Sequence, residues 1–190
     1  GGYIPGYGWF GGRYQSLLCL LHKSSLVRTP INVLELIALI ITASLTIQTY
    51  TTLHGSARGH HFHIFCDNMA SVAKARTHRS NHPIYSYLLY ILSYIQLHHG
   101  CTVGSSYIAG TRNIVADAAS RCFSVPNGRF IYQRYLQSLP MFQPSKTCIS
   151  DINLTLLSFN SAESKPLLPR PIKLELITSR HFLSSKALQC

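Results

Sequence analysis

The sequence predicts an α/β fold for residues 1–122, and three observations carry that reading. Segments of strand-like alternation take turns along the chain with segments of helical spacing. Apolar residues make up 46% of the chain, enough for a packed core. The clearest strand signal, His60 to Cys66 (HHFHIFC), runs into a carboxylate at Asp67. In α/β sheets that end of a strand is where ligands usually bind.

Taken in order, residues 1–12 (GGYIPGYGWFGG) suit strands joined by a tight turn. Arg13 to Val27 is ambiguous, with an apolar centre at Leu17, Leu18, Leu20 and Leu21. Pro30 is a helix start signal, and Asn32 can cap a helix that begins at Val33. Glu35 then lies in the first turn, and the helix runs to about Ile47. Gly55 and Gly59 mark a loop before the His60–Cys66 strand.

Met69 to Arg76 reads as a short helix. Pro83 opens a longer one, Ile84 to His98, whose apolar positions 84, 88, 91, 92 and 95 recur at helical spacing until Gly100 stops it. Thr102 to Ala109 is a further strand, Gly110 a turn, and Ile114 to Arg121 a helix. From Phe123 the pattern weakens. Asn127-Gly128 is a turn, Arg129 to Leu139 has helical character, and the remainder is rich in Ser, Pro and Leu. Residues 123–190 are therefore read as a partly helical C-terminal extension or linker.

Charge is the unusual property. Only 12% of residues are charged, 17 basic against 6 acidic, for a net +11. That balance suits a polyanion such as nucleic acid. The six cysteines (Cys19, Cys66, Cys101, Cys122, Cys148, Cys190) form no CxxC pair, which argues against a zinc knuckle and a disulfide scaffold alike. They read as reduced, mostly buried thiols of an intracellular protein, in cytoplasm or nucleus and not secreted. No basic-then-apolar signal opens the chain, and its Gly-Gly-Tyr start reads as part of something longer. Ile31 to Leu53 is long enough to be a membrane span and holds one charge, Glu35. Asn32, Gln48 and several Thr and Ser interrupt it, so a buried helix packed on a sheet is the preferred reading and no membrane partner is expected.

The chemistry rests on carboxylates. The chain has six, and Glu35, Asp67 and Asp117 sit in distinctive apolar surroundings that call for a reason. Mg²⁺ supplies one, because it takes carboxylate oxygens and leaves other positions to water and phosphate. Two such ions, roughly 3.5–4 Å apart, clamp the attacking and leaving oxygens in phosphodiester hydrolysis. Singly, each residue has a plainer explanation. Glu35 can favour its helix N-terminus, Asp67-Asn68 can be a turn, and Asp117 can pair with Arg112 or Arg121.

Three strings carry a resemblance: INVLELIA at 31–38, IFCDN at 64–68 and GTRNIVADAASR at 110–121. Over about 120 residues the chain resembles the ribonuclease H domain of retrotransposons, in particular of DIRS-like, tyrosine-recombinase elements. The resemblance implies an RNase H-like mixed five-stranded sheet flanked by helices, and cleavage of the RNA strand of an RNA–DNA hybrid. It implies two Mg²⁺ ions, with Mn²⁺ as a substitute, on Glu35, Asp67 and Asp117. It also implies a reverse transcriptase domain of the same polyprotein as partner. The family carries a further aspartate on its first strand, and this chain has none before position 67. Either that aspartate lies upstream of Gly1, the preferred account, or Tyr3 stands in its place. The family's His-Ile-Pro-Gly also becomes Tyr107-Ile108-Ala109-Gly110.

Asn68, Lys74, Arg76, Arg112, Asn113 and Arg121 are the candidate substrate contacts. Lys74, Arg76, His78 and Arg79 form a basic run that is either a solvated helix end or a contact to hybrid phosphates. Arg112 and Asn113 are placed to position the scissile strand. Tyr85, Tyr87, Tyr90 and Tyr94 are read as packing residues. His61 and His63 share one strand face, but with His60 and Cys66 they match no common zinc spacing. No GxSxG elbow, P-loop or strand-borne GxGxxG is present. Two other readings stay open: an inactive remnant of the fold that binds nucleic acid through its charge, and a small membrane protein spanning 31–53.

Overall fold

The computed structural model describes residues 1–11, 31–123 and 125–142. The ambiguous Arg13–Val27 segment, Pro30, and the extension from position 143 onward lie outside the described residues. The structure is mixed α/β, with five α-helices and two small sheets among the described residues.

Strands β1 (Gly2–Ile4) and β2 (Gly8–Phe10) form the predicted hairpin, antiparallel with Tyr3 opposite Trp9. Helix α1 (Ile31–His54) is longer than the sequence suggests at both ends. It is already formed at Ile31, so Asn32 lies inside it instead of capping it, and Glu35 falls beyond its first turn. The Asn32 side chain is engaged elsewhere: its Oδ1 accepts a hydrogen bond from Asn68. At the other end the polar residues do not break the helix. Thr42, Thr46, Thr51 and Thr52 each donate their hydroxyl to the carbonyl four residues back, at 2.8–2.9 Å.

By length and composition α1 could cross a bilayer, yet 56% of its most apolar window is buried inside the protein. It packs against β1, β3 and two further helices, α2 (Met69–Thr77) and α3 (Pro83–His99). Val33, Leu36, Ile40 and Ile47 of α1 join Leu88 and Leu92 of α3 in the main core.

Strands β3 (His61–Cys66) and β4 (Thr102–Tyr107) pair in parallel, from His61 opposite Thr102 to Cys66 opposite Tyr107. Parallel strands need a long crossover, and α2 and α3 supply it. Pro83 starts α3 with a fixed φ, and Gly100, at φ 62°, closes it in the left-handed conformation that suits glycine. The expected single sheet of five strands is not what the described residues form. Among the described residues β1 and β2, three residues each, form one two-stranded sheet, which Trp9 extends by a single parallel bridge to Met141, while β3 and β4 form the other.

The packing does not stop at residue 122. Helix α4 (Ile114–Arg121) lies on the β1–β2 hairpin so closely that a Cβ on Gly1 would meet Ser120 N at 2.6 Å. After it come α5 (Gly128–Ile131), which starts at the glycine expected in a turn, and a π-helical turn, Tyr132–Leu136, inside the expected Arg129–Leu139 stretch. Fully buried Trp9 packs with Ala118, Ala119, Cys122 and Leu136 as a second core. Its backbone is clasped on both sides: Trp9 N–H donates to the Pro140 carbonyl at 2.9 Å, and Phe142 N–H to the Trp9 carbonyl at 2.7 Å.

Candidate functional site

Glu35 and Asp67 meet because two elements converge. Asp67 leaves the carboxyl end of β3, the position favoured for ligands in α/β folds. Glu35 stands on α1, which packs across β3. One oxygen of each carboxylate and the Cys66 Sγ lie within 4.8 Å of one another. Cys66 joins this group beside the two carboxylates that the sequence points to. The inward alternation of β3 could have revealed it, since Cys66 points to the buried side where α1 runs.

A cleft of about 520 Å³ opens over this group, lined by Gly1 to Pro5, the α1 face of Glu35 and Thr42, the end of β3, Ile108, Arg112 and Asn113 of the following loop, and the first turn of α4. Gly110 brings that loop beside the carboxylate: a side-chain carbon there would stand 3.8 Å from Asp67 Oδ2. Tyr3 lines the cleft and also packs against the second core.

Burial, and then the neighbouring Asp67 carboxylate, push the Glu35 pKa up, with the Gly1 amino group opposing. The Gly1 amino group is itself lowered by burial, against the pull of Glu35. Burial pushes the Cys66 thiol up to about 11, so it stays protonated at neutral pH. Cys66, Cys101 and Cys122 are free and buried, as expected of reduced thiols.

The third carboxylate stands apart. Asp117 is near enough to raise the Glu35 pKa, but it does not line the cleft and it accepts from Arg121 Nε at 2.8 Å. This is one of the two surface pairs its plainer explanation allowed. Arg121 is therefore held by Asp117, whereas Arg112 and Asn113 line the cleft.

Asn68 is engaged in structure. Its Oδ1 caps α2 by accepting from Ser71 N–H at 3.0 Å, and its Nδ2 donates to Asn32 Oδ1 at 2.8 Å. Buried Ser71 adds a hydroxyl bond to the Asn32 carbonyl. Lys74 places its ammonium 4.4 Å over the Tyr85 ring, and Arg76 is exposed on α2; neither lines the cleft. Tyr85 and Tyr87 are buried in the main core, as packing residues should be, whereas Tyr94 is half-buried and Tyr90 is exposed. Comparison with known protein families, curated proteins and solved structures finds no match to this chain.

Proposed function

We propose that this cleft holds Mg²⁺ and hydrolyses the RNA strand of an RNA–DNA hybrid, as the retroelement ribonuclease H domains that the chain resembles do. The convergence of Glu35 and Asp67 from different elements carries the reading. Two hard oxygen donors suit Mg²⁺ or Mn²⁺, and the protonated Cys66 thiol does not compete as a thiolate. Burial first, and then the Asp67 carboxylate beside it, raise the Glu35 pKa, a setting that a bound cation would relieve. Two ions bound to Glu35, Asp67 and Asp117 would supply a polarised water and offset charge on the scissile phosphate. Asp117 has to leave Arg121 to take part.

Arg112 and Asn113, at the cleft rim, orient the scissile strand, and the excess of basic residues attracts the hybrid backbone. The proposal carries with it the RNase H-like five-stranded sheet, an intracellular setting and a reverse transcriptase domain as neighbour. The parallel β3–β4 pair with Asp67 at its carboxyl end supports the first of these.

One observation favours a second reading, an inactive remnant that only binds nucleic acid: two of the three expected carboxylates line the cleft, and the third is held by Arg121. Incubation of the chain with Mg²⁺ and a hybrid labelled on its RNA strand separates the two. Cleavage of RNA with DNA left intact, lost in Asp67→Asn, supports the nuclease. Salt-sensitive binding without cleavage, by this chain and by one preceded by a strand carrying aspartate, leaves the remnant standing.

A further inference from the structure

The face of β3 that points away from the core carries His61, His63 and Phe65, all exposed. The two imidazoles stand 5.9 Å apart between ring centres. Each is held by a hydroxyl from β4. His61 Nδ1 lies 2.8 Å from Thr102 Oγ1, and His63 Nε2 lies 2.8 Å from Ser106 Oγ. When those nitrogens carry the proton and donate it to the hydroxyl oxygens, the lone pairs left are on His61 Nε2 and His63 Nδ1.

Those two nitrogens lie over one residue. Gly104, opposite His63 in the parallel register, lies beneath both rings. A Cβ built on it would stand 2.7 Å from His61 Nε2 and 3.0 Å from His63 Nδ1. Glycine leaves this spot open, and the hydroxyls set the orientation, as partners behind metal-bound imidazoles commonly do.

We infer that His61 and His63 form a chelating site for a borderline divalent transition ion, separate from the Glu35–Asp67 pair. Neutral imidazole pairs favour ions of the nickel, copper and zinc group over Mg²⁺, so the site is selective against the cation of the cleft. Its remaining coordination positions face solvent. The site does not depend on the nuclease reading, although His63 also borders the cleft.

Ni²⁺ is the suitable probe because it is paramagnetic and does not oxidise thiols. It is titrated into the full chain in excess Mg²⁺ while histidine ring signals are followed by NMR. The signals of His61 and His63 should broaden first, below one equivalent. His61→Ala and His63→Ala should each weaken the first binding event by about tenfold or more, and the double variant should lose little beyond either single one. Thr102→Val keeps both rings but removes an orienting hydroxyl, and should weaken binding by about tenfold. Both histidines are exposed, so unchanged unfolding curves exclude a folding defect. First broadening at His98 and His99, single variants with unaltered affinity, or losses that simply add, would each overturn the site.

Discussion

Asn68 Nδ2 donates to Asn32 Oδ1 at 2.8 Å, which ties the residue beside Asp67 to the helix that carries Glu35. Asn68→Ala removes both this tie and the cap on α2, and should cost about 1–2 kcal/mol in denaturant unfolding. Asn68→Ser keeps a cap acceptor, adds no charge, and is too short to reach Asn32, so it loses the tie. Its stability should stay close to wild type while hybrid cleavage falls, because Asp67 is no longer held against α1.

The Glu35 carboxyl is raised above its ordinary value of 4.5 by burial and by Asp67. The folded state therefore holds that proton more tightly than the unfolded chain. Its stabilising contribution is full below the unfolded value and is lost as pH rises through the higher, folded one. Glu35→Gln should accordingly be more stable than wild type at neutral pH without divalent cations. The gap should close as pH falls below about 4.5, followed by thermal unfolding across that range.

Asp117 and Arg121 form a pair one helical turn apart, with the Arg121 side chain 60% and the Asp117 side chain 39% exposed. Such a pair contributes at most about 1 kcal/mol, so Arg121→Ala should barely move the unfolding midpoint. If Asp117 joins the cleft to hold a cation, Arg121→Ala should lower the Mg²⁺ concentration needed for half-maximal cleavage. Asp117→Asn should abolish most cleavage at equally small cost in stability.

Trp9 and Leu136 are fully buried against each other's neighbours although one lies in the first hairpin and the other past α5. Leu136→Ala should cost about 2–5 kcal/mol and Trp9→Ala about 3–5 kcal/mol. Trp9 is the chain's one tryptophan, so its fluorescence reports the loss directly. A chain ending at residue 122 should show a red-shifted, solvent-exposed tryptophan.

Local signals in the sequence located the elements that bear the site. The alternation before Asp67 placed β3 within one residue, and Pro83 and Gly100 bracketed α3. The end of α1 was not legible, because threonines that look like interruptions return their hydroxyls to the helix itself. Asn32 reads locally as a cap, and only the arrival of Asn68 from a distant segment gives it a different task. The clasp of residues 140–142 on Trp9 has the same cause: backbone bonds between remote segments leave no periodic trace. For Asp117, spacing offered both Arg112 and Arg121, and the helical turn decided for the latter.

Whether Glu35 and Asp67 share a cation is read most directly by calorimetric titration of Mg²⁺ into the chain, into Glu35→Gln and into Asp67→Asn. Wild type should bind Mg²⁺, and either substitution should weaken that binding at least tenfold while the fold persists. Equal affinity in all three would contradict a metal site at this pair.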